Sequence, residues 1–243
     1  MLLETDLNGV KKQTVTLAYC VQPSPVKEIP FFCIHPFVNT PMWVERMMKD
    51  GIQMSIDSIP AKYDLTNEAT YLKWVKEFKK RLDDYYDLTQ IYMLYNNPWK
   101  LTFMRFCGHF LGEKDYAEYL ANAWVTEENP NMDSNVSVSR AIQMFKSCKK
   151  EYLMEKEDLA YYRSLPSKID IYRGVADGRV KLGLSWTDDI EKAKWFQNRF
   201  GNNNYLLHLN VNKKDVIAYF NTRGEKEILL DVLKYKNSIE MII

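Results

Sequence analysis

Residues 159–175, LAYYRSLPSKIDIYRGV, hold the change of pattern on which the fold turns. Up to Pro166 the apolar residues recur at helical steps of three and four, and beyond it they alternate with a period of two. On the helical side, Tyr71, Trp74, Val75, Phe78, Leu82, Tyr85 and Tyr86 line one side of a helix, with Lys73, Lys76, Lys79 and Lys80 mostly opposite. Asn97-Pro98 reads as a cap and a first helical residue, followed by a helix burying Trp99, Phe103, Phe106 and Phe110. Another helix follows Gly112, with Tyr116, Tyr119, Leu120 and Trp124 as its apolar residues. NPNMDSNVSVS, 129–139, is a loop of turn formers ending in a cap at Ser137 or Ser139, and one long helix is expected from there to about Arg163. On the strand side stand IDIYRGV, YLLHLNV, DVIAYF and EILLDV, interrupted by one helix near Ile190–Phe200. The fold class is therefore α+β. Near the start, TVTLAYCV and IPFFCIH flank a Pro-Ser-Pro turn and read as two short strands. Residues 1–65 form an extension without an assigned role; 66–165 are a helical part and 166–243 a strand-rich part of one domain.

Composition narrows the field. The chain has 243 residues, a formal net charge of +1, 46% hydrophobic and 14% aromatic residues. That is ample for a buried core and is not a polycation built to coat nucleic acid. No apolar run approaches the roughly 20 residues of a membrane span. The opening MLLETDLNGVKKQ has no basic segment before an apolar stretch, so no signal peptide, no membrane and a cytoplasmic location are expected. Cys20, Cys33, Cys107 and Cys148 lack CxxC pairing and read as reduced thiols. His35, His109 and His208 lack neighbours at ligand spacing, so no metal is expected. No GxGxxG, GxxxxGK[ST] or GxSxG is present.

Three fragments stand out together: Ile171-Tyr172-Arg173-Gly174 at a strand end; Gly183-Leu184-Ser185-Trp186-Thr187 leading into a helix with Ala193 and Phe196; and Gly224-Glu225-Lys226-Glu227-Ile228-Leu229-Leu230 running into an apolar strand. Glu-x-Glu occurs twice. Glu155 and Glu157 lie in a helical pattern, where i and i+2 diverge. Glu225 and Glu227 open a strand, where i and i+2 share a face and Lys226 points away.

The order of the trio resembles the mono-ADP-ribosyltransferases of the Arg–Ser–Glu class, typified by bacterial toxins. The likeness covers Tyr172–Asp231 closely and the preceding helices loosely. It implies a split β-sandwich closed by the helical half, with NAD as co-substrate in a cleft between two sheets and 66–243 as the transferase domain. Glu227 matches the catalytic glutamate, and Glu225 the one that orients an acceptor. Arg173 matches the pyrophosphate ligand, Gly174 a backbone contact to nicotinamide, and Ser185 the serine that holds the glutamate, with Thr187 supporting it. Phe196 matches an aromatic packed on nicotinamide, and Arg199 a second phosphate ligand. Ala218–Gly224 corresponds to the acceptor-reading loop, with Tyr219 or Phe220 as its aromatic. Trp186 departs from the toxins' usual Ser or Thr and reads as structural. The acidic pair implies protein arginine as acceptor, with a nucleic-acid base second. A toxin, a phage-defence effector or a phage host-modifier are the implied roles, with a neutralising antitoxin among the partners. An NAD glycohydrolase and an inactive binding module of the same fold are the alternatives.

Overall fold

A computed structural model describes residues 2–20, 37, 68–127, 130–133, 135–199 and 204–242, and the chain divides into two compact units, 1–112 and 113–243. The division falls at Gly112 rather than near residue 65.

The described residues of the first unit are mainly helical: α1 (Leu7–Cys20), α2 (Glu68–Asp83), α3 (Leu88–Tyr92) and α4 (Lys100–Cys107). Residues 14–20 of the expected strand TVTLAYCV are instead the second half of α1. Val10, Thr14, Leu17 and Ala18 are buried at helical steps, and Asp6 Oδ1 accepts the Gly9 N–H at 3.0 Å, the bond of an N-cap. β-branched Thr and Val favour strands only weakly against a buried stripe of this period. The companion burst IPFFCIH lies outside the described residues. α2 buries Tyr71, Trp74, Val75, Phe78 and Leu82 as the period predicts, whereas Tyr86 lies beyond its end and is exposed.

In the second unit, α5 (Glu113–Thr126) precedes α6 (Val138–Lys146), α7 (Lys150–Leu153) and α8 (Lys156–Ser164). Ser137 caps α6 by accepting the Arg140 N–H at 3.3 Å. The single long helix expected here is three short ones. Ser147 Oγ and Cys148 Sγ bond back to Met144 O, and Lys149, Met154 and Glu155 are extended. Side-chain bonds of this kind compete with the backbone ladder, and no Pro or Gly announces the break.

The strands are β1 (Lys168–Val175), β2 (Ser185–Thr187), β3 (Tyr205–Asn212), β4 (Val216–Phe220), β5 (Glu227–Leu230) and β6 (Glu240–Met241), with α9 (Ile190–Gln197) between β2 and β3. They form one sheet in the order β4-β5-β2-β1-β3-β6, antiparallel throughout. This differs from the expectation of two sheets facing across a cleft. The sheet nevertheless has a weak seam. β1 pairs with β3 along eight positions, but with the three-residue β2 only at Tyr172↔Thr187, although all three β2 residues pair with β5.

α9 packs against β1 so closely that a Cβ on Gly174 would stand 1.9 Å from Ala193 O and 2.4 Å from Gln197 N, both backbone atoms. Among the described residues no helix is long and apolar enough to cross a membrane.

Two outcomes test this packing. Gly174→Ala must push α9 off β1 and is expected to cost at least about 1–3 kcal/mol, seen as a lower urea midpoint; an unchanged midpoint contradicts the close approach. At the sheet edge His208 bonds Asp170 (2.9 Å) and Glu240 (3.2 Å). Burial lowers its pKa, but those two carboxylates outweigh burial and raise it above 6.5. The stabilisation is thus complete below about pH 6.5 and is lost as pH rises through the raised value. Protection of the Ile242 amide, which bonds Leu206 O at 2.9 Å, should fall across that window and become pH-independent in His208→Gln.

Candidate active site

The seam between β1 and β2 opens into a hollow lined by β1, β2, β5, α9 and the end of α5. Glu227 is the first residue of β5 and pairs with Thr187 on one side and Phe220 on the other. Directly opposed residues of neighbouring strands share a face, so Glu227 stands on the side of Ser185 and Thr187. Its Oε1 accepts the Trp124 indole N–H at 2.8 Å, from the last turn of α5. Burial raises the Glu227 pKa above its ordinary 4.5. Hydrogen bonding from Ser185 and Trp124 opposes this, Glu225 adds to it, and Arg173 pulls it back; the net direction is upward.

Arg173 crosses the opening in the sheet. Nη1 donates to Ser185 O at 2.6 Å and Nη2 to Val180 O at 2.9 Å, so the guanidinium bridges β1 and the 176–185 loop where no ladder joins them. Its Nε is buried and has no partner among the described residues. Burial lowers its pKa to about 10, against the pull of Glu227, and it remains charged at neutral pH. Gly183 makes room for it: a Cβ there would stand 2.4 Å from Nη2. Asn131 ties the same loop from the other side. Its Oδ1 accepts the Leu184 N–H at 2.8 Å, and its Nδ2 reaches Ser185 Oγ at 3.4 Å.

Arg173, Gly174, Ser185, Thr187, Phe196, Arg199, Glu225 and Glu227 all line this one hollow. Thr187 is buried, and its Oγ1 accepts the Asp189 N–H at 3.2 Å at the entry to α9. Phe196 is half-buried on α9, edge-on to an exposed Trp195, and the Arg199 guanidinium lies 5.3 Å from the Trp195 ring centre. Gly174 lines the hollow too, and the packing of α9 is already a sufficient reason for glycine there.

Two placements differ from expectation. Tyr219 and Phe220 are not in a loop: they end β4, are 4% and 5% exposed, and pack on Tyr161 and Phe145. As buried strand residues they present no surface to an acceptor, and the loop proper is 221–226. Glu225 and Glu227 also do not share a face by strand alternation. Lys226 has φ +49°, so the strand begins only at Glu227, and Glu225 comes to the hollow through that left-handed turn. Trp186 is buried with its indole N–H on Gly183 O at 3.0 Å, a structural role as expected.

Trp124, Asn131 and Arg179 also reach the hollow and were not among the sequence candidates; Arg223, from the segment expected to read the acceptor, reaches it too. A signal existed for Trp124 alone, since a buried indole N–H requires an acceptor. Four arginines (173, 179, 199, 223) and three glutamates (127, 225, 227) line the wall. Among the described residues no group of three His, Cys, Asp or Glu could hold a metal ion. No family model matches the sequence, and no curated protein and no solved structure matches it either.

Trp124→Phe keeps the ring that meets Phe145 edge-on at 5.2 Å and deletes only the N–H. A hydrogen bond to a charged group is worth about 1.5–3 kcal/mol, so the Glu227 carboxyl titration should move upward by about 1 to 2 pH units. Carboxyl-carbon NMR reads it directly, and a titration identical to wild type contradicts the contact.

Proposed function

We propose that the chain is a mono-ADP-ribosyltransferase, cleaving the nicotinamide–ribose bond of NAD and passing ADP-ribose to a macromolecular acceptor. The observation that supports this reading is convergence: Arg173, Ser185 and Glu227, from three separate fragments of sequence, line one hollow at the seam of the sheet. The narrow β1/β2 junction is, in this reading, the counterpart of the split in the class's strand-rich fold.

The chemistry requires what the hollow contains. Departure of nicotinamide leaves positive charge on the ribose, as in glycoside cleavage. A carboxylate already fixed beside that position stabilises the charge as it develops, without reorganisation. Glu227 is held in this way by the Trp124 N–H and by Ser185, both of which favour its charged form. A guanidinium carries five N–H donors. Arg173 commits two to backbone carbonyls, which leaves one on each Nη for two phosphate oxygens. The hollow's four arginines suit a dianionic pyrophosphate. Phe196 offers an apolar face for the nicotinamide ring. Protein arginine remains the first-choice acceptor, a nucleic-acid base the second, and action inside the producing cell as toxin, defence effector or phage host-modifier completes the proposal.

Glu227→Gln preserves shape and bonding but not charge, and is expected to slow nicotinamide release from NAD at least about a hundredfold. With labelled NAD and cell lysate, wild-type protein should label macromolecules. Free ADP-ribose alone would mean a glycohydrolase, and no nicotinamide release from wild type would mean that the hollow serves binding only.

A further inference from the structure

One amide joins the loop before α6 to the strand that carries Ser185. Asn131 sits in the short turn Pro130–Met132, and both Pro130 and Asn131 line the hollow. The roles of its two amide atoms are fixed by their partners. The Leu184 N–H can only donate, so the atom that meets it at 2.8 Å is Oδ1. The atom 3.4 Å from Ser185 Oγ is then the –NH2, which has no lone pair to offer, and Ser185 Oγ accepts from it.

Ser185 has a single O–H to give. Its diagonal neighbour on the same face of the sheet is Glu227, because Thr187 pairs with Glu227 and Ser185 stands two residues along β2. An ionised carboxylate only accepts, so in the bond between Ser185 and Glu227 the hydroxyl is the donor. Polarity therefore runs one way, from the Leu184 N–H through Asn131 and Ser185 to Glu227, and each bond in such a chain strengthens the next. The main chain of the same serine is held as well, since its carbonyl accepts Arg173 Nη1 at 2.6 Å. Gly183 marks how close Asn131 comes: a Cβ there would stand 2.9 Å from Asn131 Cγ and 2.4 Å from Arg173 Nη2, so a larger residue would displace amide and guanidinium alike.

We propose that Asn131 is a positioning residue that commits the Ser185 hydroxyl to Glu227, so that a loop outside the sheet aims the carboxylate of the site. Its bearing on turnover rests on the transferase reading above; the bonding itself does not. The amide acts through the serine: it occupies Oγ as a donor and so leaves the hydroxyl proton to the carboxylate.

The test substitutes Asn131 in the full chain and follows the Glu227 carboxyl by carbon NMR without NAD. Asn131→Asp keeps the acceptor for Leu184 and replaces the donor by a second acceptor, which draws the Ser185 proton away. Loss of a hydrogen bond to a charged group should raise the Glu227 titration by about 1 to 2 pH units. Asn131→Ala, which adds no charge, should raise it in the same direction. The decisive comparison repeats Asn131→Ala in a Ser185→Ala background, where an effect that passes through Ser185 vanishes and one of general loosening persists. If Asn131→Ala does not fold, Asn131→Asp retains the Leu184 bond and serves instead, with a shift that should be smaller in the Ser185→Ala background. A Glu227 titration that the substitution leaves unmoved, or a shift that is undiminished when Ser185 is absent, overturns the proposal. With NAD added, the acid limb of the nicotinamide-release profile should move up with the titration while KM for NAD stays constant. A titration that moves without the acid limb, or a wild type that releases no nicotinamide, overturns the transferase reading and leaves the role of Asn131 toward Ser185 standing.

Discussion

The Glu227 carboxylate is half-buried in the wall of the hollow and must stay chargeable there. An isolated carboxylate in such a place would take up a proton, since desolvation disfavours the ionised form. Three elements answer that penalty: the Trp124 indole from α5, Ser185 on β2 and the positive charge of Arg173 on β1. The helical and strand-rich parts of the second unit are therefore joined at a polar contact as well as through their apolar core. The Glu227 pKa is still pushed above its ordinary value, burial being the leading cause.

The seam follows from the same arrangement. A sheet paired fully across β1 and β2 would leave no room for a guanidinium between them. With a single residue pair joining β1 to β2, Arg173 substitutes for ladder bonds, donating to Ser185 O and Val180 O across the gap. Two glycines serve it from opposite sides. Gly174 lets α9 lie against β1, and Gly183 leaves space for the guanidinium. Both lie in the fragments YRG and GLSWT that drew attention in the sequence, and their packing duties account for them without reference to a ligand.

Elements with a sustained buried stripe were legible from the sequence: α2, α5, the start of α6 at Ser137 and the four longer strands. What escaped has local physical causes. α1 carries strand-favouring Thr and Val on a helix whose burial period only four residues reveal. The segment 138–164 breaks at side-chain bonds to Met144 O that no propensity encodes. β2 and β6 are too short for alternation to register. In the site, Arg173, Ser185 and Glu227 could be read because each sits in a distinctive fragment. Asn131 lies in a stretch that looks like an ordinary turn, and the Glu225–Glu227 geometry depended on a single left-handed residue, Lys226.

The most direct measurement is a crystal structure of Glu227→Gln soaked with NAD. The account predicts the nicotinamide-bearing ribose at residue 227, with the pyrophosphate on the Arg173 guanidinium at the β1/β2 seam. A dinucleotide lodged elsewhere on the chain, or an empty seam at saturating NAD, contradicts it.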